Sequence, residues 1–359
     1  MKTQNNYLLR YWMESPIRAL QGFARSLPDP FPLSEDLPAV TAFQVVYQEG
    51  KLRLRHYPAI GHPPTRPLLM VYALFKRPFI LDLQAGHSVV ENFTQQGFDV
   101  YLTDWIPPTQ ADSGRGFDAY VHGDIAGAVR AVQSRTHTER ISLFGYSFGG
   151  LLAAIYTALY PETVKHLITL ALPADMSVPK MGLYSWLTKL SPAMIDVLTA
   201  TYGNCPAWLV KAGIESPTLI HRGLTHSAGL CQTGELADYL RVFARLTRWL
   251  VSDVPLAGQI AREVTHEILQ RNLFAHNSLT VGGKPVNLKE ITCPVLNIIG
   301  TYDDLVPPRA SLPFLDLVGS NDACNVFFPT SHLGAVISSA AQARLWPQVG
   351  TWLRQRAAQ

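Results

Sequence analysis

The chain has few charged residues and few cysteines. Charged residues make up 16% of its 359 residues, and the formal net charge is only +3. It contains no lysine- or arginine-rich run and no RNA- or DNA-binding motif, so we expect no nucleic-acid partner. Its cysteines lack C-x-x-C spacing, which argues against a metal site and a disulfide framework. They are Cys205, Cys231, Cys293 and Cys324. We therefore expect no metal, prosthetic group or bound cofactor.

Long apolar runs are absent as well. No stretch is long enough to form a transmembrane segment, and Met1–Tyr7 is polar and lacks the apolar core of a signal peptide. We therefore expect a cytoplasmic protein. Residues 1–38 are predicted to form an N-terminal segment and linker. Apolar residues recur at helical spacing from Tyr7 to Leu27, which favours docking of this segment on its own domain, and Pro28–Pro38 is proline-rich.

The order of hydrophobic patterns predicts an α/β fold. Hydrophobic residues make up 47% of the chain, enough for a sizeable core. Two strands, Thr41–Tyr47 and Leu52–Tyr57, are predicted to form a hairpin through the turn Gln48–Lys51. Apolar runs typical of buried parallel strands then alternate with helical patterns, which predicts a mostly parallel sheet with helices on both faces. The predicted strands are Leu68–Tyr72, Val100–Thr103, Ile141–Phe144, Leu167–Leu172 and Val295–Ile299, and the predicted helices are Ser88–Gln96, Ala119–Gln133, Gly150–Leu159 and Pro347–Arg356.

More than a hundred residues separate the last two of these strands, and most of them have helical patterns. We predict an inserted helical cap at residues 176–290, with the core formed by residues 39–175 and 291–359. A cap of this kind usually gates an apolar channel, although its tryptophans are also typical of ordinary packing between helices. The predicted cap helices are Tyr184–Leu190, Pro192–Ala200, Glu235–Leu250 and Ala257–Asn272.

The segment Gly145–Gly150 carries the most chemical information. It reads Gly-Tyr-Ser-Phe-Gly-Gly and lies between a predicted strand and a predicted helix. Strand, G-x-S-x-G and helix together are typical of a nucleophile elbow, which presents Ser147 above the sheet. A glycine-rich structural turn is the alternative. A phosphate-binding loop is disfavoured because no Lys-Ser/Thr pair follows the glycines and the G-x-G-x-x-G spacing is missing.

A serine nucleophile needs a base, and the base needs a residue that orients it. Nucleophile, acid and histidine occur in the chain order of α/β-hydrolases, each following a predicted strand. His332 is the predicted base, and Asp303 is predicted to hold its imidazole. Asp304 is the alternative for the acidic residue. The oxyanion hole is predicted to use the backbone N–H of Phe148 and a second donor from the loop Tyr72–Leu74, assigned to Ala73.

The chain resembles the polyhydroxyalkanoate (PHA) synthase family, most closely its short-chain, two-subunit class (class III). The resemblance spans roughly residues 40 to 356, including the predicted cap. Besides the elbow, the similar segments are Pro67–Leu74, Pro78–Leu83, Gly97–Trp105, Ile291–Asn297, Asp303–Pro308 and Pro329–Gly334. This resemblance implies an α/β-hydrolase fold and the transfer of 3-hydroxyacyl groups from coenzyme A thioesters.

The resemblance has two departures. The family's nucleophile is a cysteine in G-x-C-x-G, whereas this chain has Ser147, and the family usually has histidine where this chain has Asp304. An acyl-Ser is an oxygen ester, so chain transfer from it to another hydroxyl is close to isoenergetic. Water competes with that acceptor unless the channel is dry. The resemblance further implies a possible second subunit, a homodimer formed through the cap and contact with a polyester granule.

These observations leave three functional hypotheses. The first is a synthase-like acyltransferase that acts through an acyl-Ser147, and we favour it because the cap also resembles the family. The second is a cytoplasmic serine esterase that hydrolyses short or medium acyl esters or the polyester itself, and the serine favours it. The third is a catalytically silent partner or granule-surface protein that kept the fold. The intact order of serine, aspartate and histidine argues against the third hypothesis.

Overall fold

A computed structural model of the chain describes residues 40–61, 66–178, 192–214 and 236–356. The predicted N-terminal segment, the predicted helix Tyr184–Leu190 and Cys231 lie outside these ranges. In the described part, the strands are β1 Gln44–Glu49, β2 Leu52–Tyr57, β3 Pro67–Val71, β4 Asp82–Gln84, β5 His87–Ser88, β6 Asp99–Trp105, β7 Ile141–Tyr146, β8 Val164–Leu170, β9 Thr280–Val281, β10 Lys284–Pro285, β11 Val295–Gly300 and β12 Ala323–Phe328.

An eight-stranded sheet organises the molecule, in the order β1-β2-β6-β3-β7-β8-β11-β12. Strands β1 and β2 form the predicted antiparallel hairpin, and β2 runs antiparallel to β6. From β6 to β12 the neighbouring strands are parallel. All residues of β3, β6 and β11 are buried, which explains why these strands are continuous apolar runs in the sequence. The mostly parallel sheet is therefore confirmed.

Helices flank this sheet and fill its crossovers. Among the described residues, α-helices are α1 Val89–Gln95, α2 Ala126–Thr136, α3 Phe148–Leu159, α4 Pro192–Tyr202, α5 Ala207–Ile214, α6 Leu236–Val251, α7 Gly258–Glu263, α8 Pro308–Ser311, α9 Phe314–Leu317, α10 Gly334–Ile337 and α11 Trp346–Arg356. Short 3₁₀ turns lie at Pro78–Leu81, Gln110–Asp112, Pro161–Thr163 and Leu288–Glu290, and π-helical turns lie at Ala119–Ile125, Val264–Gln270 and Ala341–Leu345.

The structure differs from the sequence predictions mainly at element boundaries. Strand β1 begins at Gln44 and continues to Glu49, so the hairpin turn is Gly50–Lys51 and is shorter than predicted. Gly50 has φ +54, a conformation that glycine adopts without the steric penalty of a Cβ. The predicted helix Ala119–Gln133 starts as a π-helical turn and becomes α-helical at Ala126. Helix α5 and the small β9–β10 hairpin are absent from the sequence predictions.

Hydrophobic packing divides the described residues into two clusters of unequal size. The large cluster includes the central strands, helix α3 and the buried face of α6, including Val242, Leu246 and Trp249. A small second cluster contains Cys205, Leu209, Val210 and Ala261, and Phe75 and Leu256 pack against both clusters. It lies within the part of the chain that the sequence predicts to be the cap.

Candidate active site

Ser147 lies in a strained turn between β7 and α3. Its backbone has φ 55 and ψ −121, a region that residues with a Cβ rarely adopt and that is typical of functional sites. Its N–H still donates to the Leu170 carbonyl of β8 at 2.8 Å, and its own carbonyl accepts from Gly150 N at 2.8 Å. The turn therefore fixes the direction of the serine side chain at the point where the strand ends.

The glycines around Ser147 are required by close backbone approaches. A Cβ on Gly145 would lie 2.5 Å from Gly150 Cα, and one on Gly149 would lie 2.1 Å from the Val71 carbonyl oxygen. Such contacts are far inside van der Waals distance, so only glycine fits these positions. Helix α3 consequently begins directly against the end of β3. The G-x-S-x-G pattern is thus explained by packing at both glycines.

His332 and Asp303 are joined by a short hydrogen bond. His332 Nδ1 lies 2.7 Å from Asp303 Oδ2. The other carboxylate oxygen, Oδ1, accepts from Leu305 N at 2.9 Å and from Val306 N at 2.8 Å. An ionised carboxylate only accepts, so Nδ1 donates and Nε2 of the neutral ring is left as the acceptor. This is the tautomer that a general base requires.

The loops that carry these two residues are bonded to each other. Thr301 N donates to Phe328 O at 2.9 Å, and Tyr302 N donates to Thr330 O at 3.0 Å. A Cβ on Gly300 would lie 2.8 Å from the Thr330 carbonyl oxygen, so the loops also pack too closely for a side chain there. The imidazole and carboxylate are therefore held in register by backbone contacts as well as by their own hydrogen bond.

Ser147, Asp303 and His332 follow β7, β11 and β12 at the same edge of the parallel sheet. Tyr146, which immediately precedes Ser147, links them: its hydroxyl donates to His332 O at 3.1 Å, and its ring lies 5.0 Å from the imidazole centroid. All three candidate residues are largely buried, with residue exposures of 8% for Ser147, 5% for Asp303 and 5% for His332. The structure therefore places the three predicted residues in one region.

Two residues adjacent in the chain to predicted site residues are relevant to the site: Asp304, which follows Asp303, and Tyr146, which precedes Ser147. The carboxylate that accepts the hydrogen bond of the His332 ring belongs to Asp303, which favours Asp303 over Asp304 as the orienting residue. Tyr146 was not predicted, although it occupies the variable position before the serine in the motif. Burial, with smaller effects of Tyr72 and Asp303, raises the pKa of Tyr146 well above its usual value. Its hydroxyl therefore stays protonated and able to donate.

The predicted oxyanion donors lie on segments that contact each other. Phe148 is the first residue of α3, so its N–H has no acceptor within the helix. In the loop after β3, Tyr72 N donates to Thr103 Oγ1 at 2.9 Å, which removes Tyr72 from the candidate donors and leaves Ala73 and Leu74. The Phe75 and Phe148 rings pack at 5.5 Å. The prediction of Phe148 and Ala73 is compatible with this arrangement.

The end of helix α6 holds the loop after β3, a feature that sequence reasoning missed. Trp249 Nε1 donates to the Arg77 carbonyl at 2.9 Å and lies 3.2 Å from the Tyr72 hydroxyl. Lys76 Nζ lies 2.6 Å from Asp253 Oδ1 and 2.9 Å from Leu250 O. Since these partners are more than 170 positions apart in the chain, no local pattern could have indicated them.

The described residues contain no group of three or more His, Cys, Asp or Glu side chains that could hold a metal ion. Within the same ranges, no helix has both the length and the apolar character needed to cross a membrane. Of the four cysteines, Cys205, Cys293 and Cys324 are described and carry free thiols.

The chain matches one protein-family model and several curated proteins. A model described as the α/β-hydrolase fold matches residues 66–194. The poly(3-hydroxyalkanoate) polymerase subunit PhaC of Haloferax mediterranei is 36% identical over 319 residues, which cover 88% of this chain and 64% of that protein. The chain thus spans less than two thirds of that relative's length. The PhaC subunit of Allochromatium vinosum is 34% identical over 323 residues, covering 88% of this chain and 89% of that protein.

Solved structures match the fold at low sequence identity. A monoacylglycerol lipase from Paleococcus ferrophilus has a TM-score of 0.55 at 16% identity, with 86% of this chain and 100% of that chain covered. A thioesterase domain from the curacin biosynthetic pathway has a TM-score of 0.50 at 16% identity, with 85% and 99% covered. With the family model, these matches show the α/β-hydrolase fold that the sequence predicts.

Proposed function

Because the chain belongs to the poly(3-hydroxyalkanoate) polymerase subunit PhaC family, we propose that it transfers 3-hydroxyacyl groups from coenzyme A thioesters into polyester through an acyl-Ser147. The observation that carries the chemistry is the 2.7 Å hydrogen bond between His332 and Asp303, at the sheet edge where the strained turn presents Ser147. A nucleophile, a base and an orienting carboxylate in this order support acyl transfer.

In the first half of the reaction, His332 Nε2 takes the proton of Ser147 Oγ as the oxygen attacks the thioester carbonyl carbon. The carbonyl oxygen becomes negatively charged and accepts hydrogen bonds from the N–H groups of Phe148 and Ala73. When the carbonyl re-forms, the C–S bond breaks, and the coenzyme A sulfur takes the proton from His332. Asp303 stabilises the imidazolium that exists between these two proton transfers.

In the second half, the 3-hydroxyl of another hydroxyacyl group or of a growing chain replaces coenzyme A at the site. His332 accepts the proton of this hydroxyl, and its oxygen attacks the acyl-Ser carbonyl. Ser147 leaves and regains its proton from His332, and a new ester bond remains. If water attacks in place of the hydroxyl, the product is a free acid. The acceptor alone therefore separates a polymerase from an esterase.

A serine carboxylesterase acting on short or medium acyl esters or on polyester is the second candidate function. The observation that favours it is Ser147 itself, since the sequence resemblance assigns a cysteine to this position in the family. Serine must lose its proton in the transition state, whereas a cysteine beside histidine is readily ionised. This difference affects attack on the thioester more than attack on an oxygen ester.

Product analysis with 3-hydroxybutyryl-coenzyme A tests the proposal. Purified protein should release coenzyme A and form ester-linked oligomers, detected by thiol titration and by mass spectrometry, beside a parallel assay with a 4-nitrophenyl ester. Release of coenzyme A with only free 3-hydroxybutyrate would overturn polymer synthesis and leave the esterase. The variant Ser147→Ala is the matched control, because it removes only the attacking oxygen.

Two further experiments separate the remaining alternatives. A fluorophosphonate should label Ser147 stoichiometrically, and failure to label the folded protein would support a catalytically silent role. Ser147→Cys should raise polymer formation from thioesters if the scaffold is a synthase whose serine limits the rate. If Ser147→Cys instead raises hydrolysis alone, the channel admits water and the synthase assignment fails.

The family resemblance also implies a cap, a cellular location and a mode of assembly for this chain. We infer a helical cap at residues 176–290 over the core of residues 39–175 and 291–359, a cytoplasmic location, and assembly either with a second synthase subunit or as a homodimer through the cap at a granule surface. Activity that rises more than linearly with protein concentration would support assembly of the chain with itself. Activity that appears only after a second subunit is added would support the two-subunit form.

A further inference from the structure

A pocket of about 430 Å³ opens at the amino-terminal edge of the main sheet, away from Ser147. It lies where β3, β7 and β8 begin and where α11 ends. Its residues come from β3, β7, β8, α11 and the loops that precede strands, and only the fold brings them together. The described residues that line it are Arg66, Pro67, Phe98, Thr138, Arg140, Ser142, Lys165, His166, Leu353 and Arg354.

The pocket concentrates positive charge. Four of its residues have basic side chains: Arg66, Arg140, Lys165 and Arg354. None of the described residues that line it is acidic. Cationic side chains gathered around one cavity create a positive potential that attracts anions. The whole chain has a net charge of only +3, which makes this local excess distinctive.

Two carboxylates near the pocket, Asp322 and Asp99, have partners of their own. Asp322 forms two hydrogen bonds with Arg356, at 2.6 and 2.7 Å. Asp99, whose N–H donates to Arg66 O, accepts from His56 Nε2 at 2.7 Å and from the Tyr101 hydroxyl at 3.0 Å. These acids therefore have other cationic or polar partners at short range.

Two of the guanidinium groups in the pocket are held by hydrogen bonds that do not use all of their N–H donors. Arg140 Nε and Nη2 donate to Val164 O at 3.2 and 2.9 Å. Arg354 donates to Gln96 Oε1 at 3.1 Å and to Thr351 Oγ1 at 2.9 Å. Each guanidinium carries five N–H donors, so more donors remain than these bonds use. A fixed guanidinium is well suited to bind phosphate oxygens because its fork is ordered before the ligand arrives.

The polar residues of the pocket add neutral hydrogen-bonding groups. Ser142 Oγ and His166 Nδ1 lie 2.9 Å apart. Burial lowers the pKa of His166 to about 4, and the positive charges of Lys165, Arg356 and Arg140 act in the same direction. The imidazole is thus neutral near pH 7, and the four cations supply the charge of the pocket.

We propose that this pocket is a binding site for a multiply charged, phosphate-bearing metabolite no larger than a nucleotide. Its volume falls in the range typical of small-molecule sites, and arginine and lysine are the side chains that bind phosphate groups most effectively. The site is separate from the reaction edge. Ser142 lies near the start of β7 and Ser147 follows its end, and five residues of strand span roughly 17 Å.

Isothermal titration of the full chain tests the proposal. The ligands are pyrophosphate and ATP, each at constant ionic strength, with sulfate as a reference anion of lower charge. We expect saturable binding with one site per chain and weaker binding of sulfate. Equal affinities for pyrophosphate and ATP would identify the phosphates as the whole recognised group, and tighter binding of ATP would indicate contacts to the nucleoside. Absence of saturable binding for both ligands would overturn the proposal.

The matched variants keep the anchored guanidinium groups intact. Lys165→Gln and the double variant Arg66→Gln/Lys165→Gln should each weaken binding of the preferred ligand by at least about tenfold, since each removes a charge-assisted contact. Arg130→Gln, on the exposed face of α2, removes one positive charge outside the pocket and should leave the affinity unchanged. Equal weakening by Arg130→Gln and Lys165→Gln would show diffuse charge attraction and contradict a site. If the double variant unfolds at a lower temperature, Lys165→Gln alone decides.

Discussion

Local hydrogen bonds fix the orientation of individual side chains at the candidate site. Asp303 accepts three hydrogen bonds, one from His332 and two from the backbone N–H groups of Leu305 and Val306. Backbone donors stabilise a carboxylate in its charged form and fix its plane. Of the two adjacent aspartates, Asp303 is the one placed at the His332 ring. The difference between two adjacent aspartates is therefore one of position relative to the imidazole.

The first prediction compares these two aspartates. Asp303→Asn should lower the turnover number by orders of magnitude, about 10⁴-fold in comparable triads, because the amide stabilises the wrong tautomer of His332. Asp304→Asn should reduce turnover much less. Steady-state assays with the 4-nitrophenyl ester measure both. A larger loss in Asp304→Asn would show that the orienting residue is Asp304.

The second prediction concerns His166, which is buried and neutral. Burial, reinforced by nearby positive charges, lowers its pKa from an ordinary value of 6.5 to about 4, although a backbone hydrogen bond with Arg356 opposes the shift. The unfolded chain therefore binds more protons than the folded chain between these values, and the free energy of unfolding should fall as the pH drops from 6.5 to 4. One pKa unit corresponds to about 1.4 kcal/mol, so the full loss is about 3 kcal/mol.

Urea unfolding at pH 7 and pH 5 measures this loss. Other groups titrate in the same window, so the comparison uses His166→Gln, which keeps a polar side chain near Ser142 but has no charged form. The loss of stability on acidification should be smaller in His166→Gln than in the natural chain. An equal loss in both proteins would show that His166 is not the group responsible.

Among the elements, the junction of β3, β7 and α3 is packed too closely for a side chain at either glycine of the turn. Helix α3 begins against the carbonyl of Val71 because Gly149 has no side chain. The same contact brings the start of the helix to the loop that carries Ala73. Helix α6 then covers that loop through Trp249 and the Lys76–Asp253 ion pair. The backbone donors of the candidate site are thus positioned by contacts between elements.

The third prediction tests this junction. Gly149→Ala should destabilise the protein severely and abolish turnover, since the new Cβ would lie 2.1 Å from the Val71 oxygen and backbone has to move. Gly123→Ala is the matched control, because a Cβ there meets nothing within 4 Å. That control should be neutral or stabilise by about 0.5–1 kcal/mol. Thermal unfolding measures both variants, and equal unfolding temperatures would contradict the role of the close approach.

For the molecule as a whole, the large and small hydrophobic clusters should open at different denaturant concentrations. Cys293 belongs to the large cluster and Cys205 to the small one. Burial raises the pKa of both thiols to about 12, so neither is a nucleophile in the folded protein. Both should react with alkylating reagents only after local or global opening.

The fourth prediction follows from the division of the buried residues into a large and a small hydrophobic cluster. In increasing urea, iodoacetamide should modify Cys205 at lower denaturant concentrations than Cys293, because fewer apolar contacts protect the small cluster. Peptide mass spectrometry after quenching resolves the two sites within one sample. Simultaneous modification of both would mean that the two clusters unfold as a single cooperative unit.

At this scale the sequence predicts the sheet well and the contacts between distant segments poorly. Buried parallel strands such as β11 are continuous apolar runs, and the G-x-S-x-G pattern indicates a turn whose glycines the structure explains. The β9–β10 hairpin has a signal that could have been used, the pair Gly282–Gly283. By contrast, the ion pair between Lys76 and Asp253 and the hydrogen bond from the Tyr72 N–H to Thr103 Oγ1 depend on the folded topology.

The left-handed backbone at position 147 has an evolutionary consequence. Serine and cysteine each carry a single Cβ, and neither is branched there, so the turn disfavours both to the same degree. A lineage could therefore exchange oxygen for sulfur at this position without rebuilding the scaffold. What changes is the rate of attack and the lifetime of the acylated enzyme, so reaction preference can diverge between relatives whose backbones stay superimposable.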